Sequence, residues 1–228
     1  ETQFRVRGSL HAPQIHVSCT SPRLEWGQTA LNKVHIAAQT PACNIATQEA
    51  QGTLTLNSNL QNVGAMTFAT VWSYQQAAFA VRDVLFSAPG LRVSGALEAR
   101  FPAKHPPRLD GTLTTSLDNG TTLSTLANTP LASGASKLRL TLDTKSGTQH
   151  LNADWSCADL RQEALSLKKL AGQLDVQNLF GKPTILLDTT LGAGAIKELN
   201  WTGGTLRLRG ALHELHASAT LQGRTRAD

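Results

Sequence analysis

Apolar residues recur at every second position through most of the chain. Leucines alternate with polar residues in residues 138–142 and 206–208. A period of two is the spacing of one face of a strand, because successive side chains point to opposite sides. Seven times a glycine precedes an alternating leucine by two positions, at Gly8, Gly52, Gly95, Gly111, Gly172, Gly204 and Gly210. The pattern predicts an all-β chain, a long repetitive sheet that is apolar on one face and carries little helix.

The alternation and the turn signals divide the chain into a series of short strands. Asn57-Ser58-Asn59, Ala88-Pro89-Gly90, Gly192-Ala193-Gly194 and the pair Gly203-Gly204 are typical of turns or breaks. The predicted strands are residues 4–17 (with a break at Pro13), 31–37, 53–60, 66–72, 78–86, 91–101, 109–117, 137–143, 149–155, 172–176, 184–191, 199–201, 204–212 and 215–221.

Two segments fit more than one structure. Residues 121–128, before Pro130, have the composition of a short helix. Residues 156–171 have helical spacing, with Ser156 and Asp159 as caps and Gly172 as a stop. Leu165-Ser166-Leu167 fits a strand equally well, and we favour strands with a bulge near Lys168.

A proline-rich segment interrupts the pattern near the middle. Residues 102–108 contain three prolines, which cannot occupy the interior of a sheet. We therefore expect a first β-segment over residues 1–101, a kink at 102–108, and a second β-segment over residues 109–228. One continuous domain remains the alternative.

The charge is mildly basic and scattered. The net charge of the 228 residues is +5, and aromatic residues make up only 5%, too few for a base-stacking platform. Scattered cations fit anionic surfaces better than a dedicated nucleic-acid site. Leucine far outnumbers valine and isoleucine together, so the apolar face suits either an ordinary core or mobile acyl chains.

Cysteines and apolar runs say little about the compartment. Cys19, Cys43 and Cys157 show no zinc spacing, and a Cys19–Cys43 bridge in an oxidising compartment stays open. No apolar run approaches the ~20 residues of a membrane span. The chain shows no signal peptide and begins and ends within the strand pattern, so we expect a piece of a longer protein.

Candidate chemistry is scarce. The sequence has no nucleophile elbow, P-loop, zincin or dinucleotide motif. His213 and His216 are three positions apart, so on a strand they face opposite sides and do not share a metal. The four tryptophans, spread evenly, are interpreted as edge or rim packing. We therefore expect no enzyme activity, no catalytic residues, no metal and no cofactor.

Three stretches carry a family resemblance. Residues 81–95 (VRDVLFSAPGLRVSG) resemble the strand, Pro-Gly, strand, Gly unit of the AsmA-like superfamily. Residues 196–210 (IKELNWTGGTLRLRG) and 8–15 (GSLHAPQI) are similar to the repeats of its TamB branch, the translocation and assembly module proteins. The N-terminal anchor and the C-terminal domain of that family have no match here, so the resemblance is to an internal fragment.

The resemblance implies a strongly curved, elongated sheet, an open U-shaped groove called a β-taco. It implies a periplasmic bridge that supports phospholipid transport between inner and outer membrane, outer-membrane protein assembly, or both. The implied partners are acyl chains and, through parts outside this chain, a TamA-type barrel, with an inner-membrane anchor also outside it. The residues expected to line the groove are Leu54, Leu56, Leu91, Val93, Leu97, Leu113, Leu138, Leu140, Leu142, Ile185, Leu187, Leu206, Leu208 and Leu212.

Two other classes of function compete with this one. A structural or adhesive β-solenoid closes the same apolar residues on themselves as a core. A β-helical carbohydrate enzyme requires clustered acids on one face, but charged residues are only 16% of the chain and no cluster of acids stands out.

Overall fold

The structure is a computed structural model and describes residues 1–26, 29–103, 105–127, 133–162, 164–197 and 199–223. It contains fifteen strands and one helix among these residues. They are β1 (Thr2–Ser9), β2 (Ala12–Trp26), β3 (Thr29–Asn44), β4 (Glu49–Leu60), β5 (Gly64–Gln75), β6 (Ala78–Ala88), β7 (Leu91–Arg100), β8 (Arg108–Leu117), α1 (Thr121–Ala127), β9 (Ser136–Lys145), β10 (Thr148–Gln162), β11 (Leu165–Gln177), β12 (Thr184–Leu191), β13 (Gly194–Ile196), β14 (Leu199–Ala211) and β15 (Glu214–Gly223). The all-β fold class, with one repetitive sheet and little helix, is confirmed.

The strands form one sheet in which chain neighbours are usually sheet neighbours. The order runs from β1 to β12 in sequence, then β14, with β15 beside β14. β13 pairs with both β11 and β14, so β12 and β13 occupy successive stretches of one position. Every pair of strands whose residue partners are defined is antiparallel. Short hairpin connections allow this arrangement.

The chain divides into two compact units. Unit 1 covers Glu1–Leu113 and unit 2 begins at Thr114, so the division falls inside β8. Of the proline-rich segment, Arg108 begins β8, and the other described residues lie between β7 and β8 and form no strand. Buried apolar side chains occur in both units: Val34, Leu60, Met66 and Leu91 in unit 1, and Leu117, Leu167, Val176 and Trp201 in unit 2.

Both ambiguous segments are now assigned. Helix α1 confirms the short helix, although Asn128 lies outside the described residues. The second segment is strand, because β10 and β11 pair along their lengths. The bulge expected near Lys168 is not found, because the register of β10 and β11 is the same on both sides of it; Lys168 instead lacks a register partner in β10, where Asp159 is left-handed (φ 46°).

The first predicted strand was wrong as one element. Residues 4–17 form most of the β1–β2 hairpin, with its turn at Leu10 and His11. The apolar positions are even-numbered through Phe4 and Val6 and odd-numbered from Ile15. A change of parity cannot occur within one regular strand, so it marked the turn.

Two predicted breaks were also wrong, and a third is a break in the strand but not a hairpin turn. Asn57-Ser58-Asn59 lies inside β4, and Gly203-Gly204 lies inside β14. The segment from Gly192 to Gly194 is no hairpin, because β13 continues between the same neighbours as β12. Gly194 and Gly204 lie in strands, and side chains of neighbouring strands fill the space beside them: a Cβ on Gly204 would lie 2.7 Å from the Leu221 side chain.

Candidate functional site

In unit 2 one face of the sheet is apolar from strand to strand. Register partners in an antiparallel sheet point to the same face. Leu140 lies opposite Ala153, which lies opposite Leu174, and the row continues through Leu187 to Leu208. We call the face of the sheet that carries this row, and the equivalent face of unit 1, the apolar face.

Parallel rows extend the apolar face of unit 2 on both sides. Leu142 and Ile185 belong to the row that also contains Val176, and Leu138 and Leu206 to the row of Trp155. All predicted lining residues of unit 2 except Leu212 therefore share one face. Leu212 lies in the turn between β14 and β15, with 62% of its surface exposed.

Unit 1 has an apolar face of its own. One row runs from Leu56 through Phe68 and Phe86 to Val93. The other predicted residues join it: Leu54 lies two positions along β4, Leu91 and Leu97 flank Val93 on β7, and Leu113 packs beside Gly95. The bulge in β6 keeps this face continuous, since the register shifts by one residue between Val81 and Val84.

The apolar face is only partly covered. Its rows are mostly half-buried, although Leu60, Leu91 and Val176 are buried. Leu138 keeps 41% of its surface exposed. Within the described ranges the strands form one sheet and the helix has seven residues, so no second sheet covers this face. The exposed apolar side chains can therefore contact hydrocarbon.

The tryptophans were missed as part of this surface. Trp72 shares its row with Val81 and Leu97, and Trp155 shares one with Leu138 and Leu206. Trp201 is buried and its Nε1 donates a hydrogen bond to the Gly192 carbonyl at 2.9 Å. The edge or rim interpretation is wrong for these three. The side chain of Trp26 lies outside the described residues.

Each of these tryptophans covers a glycine on the neighbouring strand. A Cβ added to Gly52 would lie 2.8 Å from the Trp72 ring. A Cβ added to Gly172 would lie 2.5 Å from the Trp155 ring, and a Cβ added to Gly194 would lie 2.5 Å from the Trp201 ring. An aromatic ring laid across a cross-strand glycine pins the register of the two strands. The usable sequence signal was the Gly-x-Leu repeat, since Gly52 and Gly172 begin two of its copies.

The opposite face is polar, and oppositely charged residues lie across from one another on its neighbouring strands. Arg139 lies opposite Asp154, and Asp188 lies opposite Arg207. Arg207 Nε contacts Asp188 Oδ1 at 3.0 Å, and Arg209 Nη2 contacts Asp188 Oδ2 at 3.7 Å. These side chains are more than half exposed, so the pairs contribute little stability. On β7 the hydrogen bond from Arg100 to Glu98 raises the pKa of Arg100.

The described residues contain no group of three or more potential metal ligands. His213 lies in the β14–β15 turn and His216 lies on β15 opposite Arg209.

The three cysteines form no disulfide. Cys19 lies opposite Ile36, seven residues along β3 from Cys43. That is roughly 20 Å of strand, too far for the bridge considered from sequence.

No helix in the described part of the chain has the length and apolar character needed to span a bilayer. Comparison with family models, with curated proteins and with solved structures yields no match for this chain.

Proposed function

We propose that this chain is a lipid-handling segment of a periplasmic bridge, similar to the TamB branch of the AsmA-like superfamily. Its apolar face forms a curved groove for acyl chains and supports phospholipid transport between inner and outer membrane, outer-membrane protein assembly, or both. The observation that carries the proposal is the continuous row from Leu140 to Leu208, half-buried and without a second sheet over it in the described residues.

The row has the dimensions to hold hydrocarbon. It crosses five strands, β9, β10, β11, β12 and β14, which at about 4.8 Å per strand gives a row about 19 Å long. Each CH₂ group that leaves water for an apolar surface contributes about 0.8 kcal/mol. Binding needs no bond-making chemistry, so the proposal assigns no enzyme activity. It places the membrane anchor and the contact with a TamA-type barrel outside these residues.

Adjacent leucines on β12 provide a direct test. Leu187 lies in the apolar row, whereas Leu186 is 37% exposed and lies opposite Asp175 and Arg209 on the polar face. A photo-crosslinking amino acid is introduced at either position, and the folded protein is illuminated with phospholipid vesicles. We expect lipid adducts from position 187 and at most background from position 186. Equal yields at the two positions would contradict the groove.

The closed β-solenoid remains the second candidate because part of the face is sealed. Leu60 is 2% exposed and Val176 is 8% exposed. If this sealing extends along the whole row, position 187 gives no lipid adducts, and the protein carries no phospholipid after extraction. Native mass spectrometry of the extracted protein measures that second outcome.

A further inference from the structure

A hollow of about 660 Å³ lies on the polar face of unit 2, lined by residues of β8, β9, β10, β11 and β12. Each of these strands has a neighbouring strand on both sides in the sheet. Lys137 and Arg139 line the hollow and lie on either side of Leu138, which belongs to the apolar face. Alternate residues of a strand point to opposite faces, so both cations face away from the apolar side. The hollow is therefore separated from the proposed groove by the sheet itself.

Short side chains on three successive strands leave this space open. Ser156 on β10 lies opposite Ala171 on β11, which lies opposite Thr190 on β12. The next row, about 7 Å along the strands, carries longer side chains such as Gln173. Ligand sites in proteins are concave and measure about 300–1,000 Å³, so the hollow has the size of a small-molecule site.

Three charged side chains at the hollow are not used by the rest of the described structure. Lys137, Arg139 and Asp154 are exposed, and none of them forms an ion pair with a residue that the structure describes. This holds even though Arg139 lies opposite Asp154. Asp188 also lines the hollow, but Arg207 contacts its carboxylate at 3.0 Å. A ligand therefore meets two positive charges and one negative charge.

These charges are complementary to a small molecule that carries both a phosphate and an ammonium group. A phosphate monoester has a charge of about −1.5 to −2 at pH 7 and three acceptor oxygens, which suit a guanidinium and an ammonium side chain. One ammonium group brings the net charge of the ligand to about −1, opposite in sign to that of the three side chains. Ser156, Gln173 and Thr190 are exposed and both donate and accept hydrogen bonds, so they suit hydroxyl groups.

We propose that this hollow binds a phosphorylated amino sugar. Lys137 and Arg139 bind the phosphate, Asp154 accepts hydrogen bonds from the ammonium group, and the uncharged side chains bind ring hydroxyls. A sugar phosphate without the amine leaves Asp154 without a cation, and an amino sugar without phosphate leaves the two cations without an anion. The site goes beyond the proposed function, because it needs neither acyl chains nor the apolar face.

Calorimetric titration of the full chain with matched sugars tests the site. Glucosamine 6-phosphate is compared with glucose 6-phosphate, which lacks only the ammonium group. We expect the amino sugar to bind about fivefold more tightly, the upper range for one exposed ion pair. Asp154→Asn should weaken glucosamine 6-phosphate about fivefold and leave glucose 6-phosphate bound at least as tightly as before. A loss of folding would weaken both ligands, so it cannot imitate this result.

The cations are tested with a matched pair of double variants. Lys137→Gln/Arg139→Gln should weaken binding of glucosamine 6-phosphate about 25-fold, a factor of about five for each charge. Arg5→Gln/Arg7→Gln removes the same charge from alternate exposed positions of β1 and should change the affinity by less than about twofold, because distant charges are screened. Lys137→Arg/Arg139→Lys keeps both charges and should keep most of the binding, which supports the proposal even if the glutamine variant unfolds.

Phosphoethanolamine separates a sugar site from a site for the two charges alone. It carries both charges but no ring hydroxyls, so we expect it to bind about fivefold more weakly than glucosamine 6-phosphate. Equal binding of these two ligands, equal binding of the two sugar phosphates, equal losses in the two glutamine variants, or no binding at all would each overturn the proposal. Loss of lipid crosslinking at position 187 with sugar binding retained would reject the groove and leave this site standing.

Discussion

Glycines on the apolar face lie beneath large side chains of neighbouring strands. A Cβ on Gly172 would lie 2.5 Å from Cζ2 of Trp155 and 2.7 Å from the Asp188 carbonyl oxygen. Both distances are below van der Waals contact, so even alanine forces the ring or the strand to move. Gly203 differs, because its Cβ would lie 3.6 Å from the nearest atom, the Leu191 carbonyl oxygen.

We therefore expect Gly172→Ala to lower the free energy of unfolding by about 1–3 kcal/mol, the usual cost of overpacking. Gly203→Ala is the matched control and should change it by less than about 0.5 kcal/mol. Urea denaturation followed by tryptophan fluorescence measures both. Equal effects of the two substitutions would show that the ring does not require glycine beneath it.

The positions of the cysteines allow a second prediction at this scale. Because Cys19 and Cys43 are separated along β3 by roughly 20 Å of strand, mild oxidation of the folded protein should leave three titratable thiols. Alkylation without reductant followed by mass spectrometry counts them, with a denatured and reduced sample as the reference. A peptide crosslinked through Cys19 and Cys43 would contradict the register of β2 and β3.

At the scale of the strand, period-two alternation decides which surface each side chain joins. Leu186 and Leu187 are chemically identical neighbours on β12, yet one lies among Asp175 and Arg209 and the other between Leu174 and Leu208. A charge therefore meets polar groups at the first position and aliphatic groups at the second.

Leu187→Asp should lower the free energy of unfolding by about 2 kcal/mol more than Leu186→Asp, because a carboxylate loses hydration among aliphatic neighbours. Chemical denaturation of the two variants provides the comparison. If the two aspartates lower the free energy of unfolding by the same amount, the apolar face is as hydrated as the polar face and does not bind hydrocarbon.

At the scale of the whole molecule, the described strands belong to one sheet, and no second sheet buries its apolar face. A ligand that occupies this face only in the folded state stabilises that state. The groove and the closed solenoid therefore differ in how stability responds to a monomeric single-chain lipid.

A lysophospholipid below its micelle concentration should raise the free energy of unfolding by about 1.4 kcal/mol at ten times its Kd. Leu186→Asp should keep this gain and Leu187→Asp should reduce it. Denaturant titration at several lipid concentrations measures the effect. A wild-type protein that shows no gain, and no binding of a hydrophobic dye, has its apolar face closed.

Much of the fold could be predicted because the alternating pattern is local. Strands such as β7, with Leu91, Val93 and Leu97 on one face, follow from residue spacing alone. Glycine was the main source of error. Gly194 and Gly204 were interpreted as turn residues because glycine tolerates turn conformations, but they lie in strands under Trp201 and Leu221. The sequence next to a glycine does not indicate that a side chain from another strand will occupy the space beside it.

The sequence by itself determined that the chain is β and that leucines at alternate positions share a face within each strand. Only the tertiary structure decided how strands align, because register depends on pairing between separate segments and a one-residue slip reverses every face. It placed Leu140, Leu174, Leu187 and Leu208 in one row and put Trp155 beside them. It also placed Lys137 and Arg139 with Asp154 around one hollow, since charges on different strands meet only after those strands have paired.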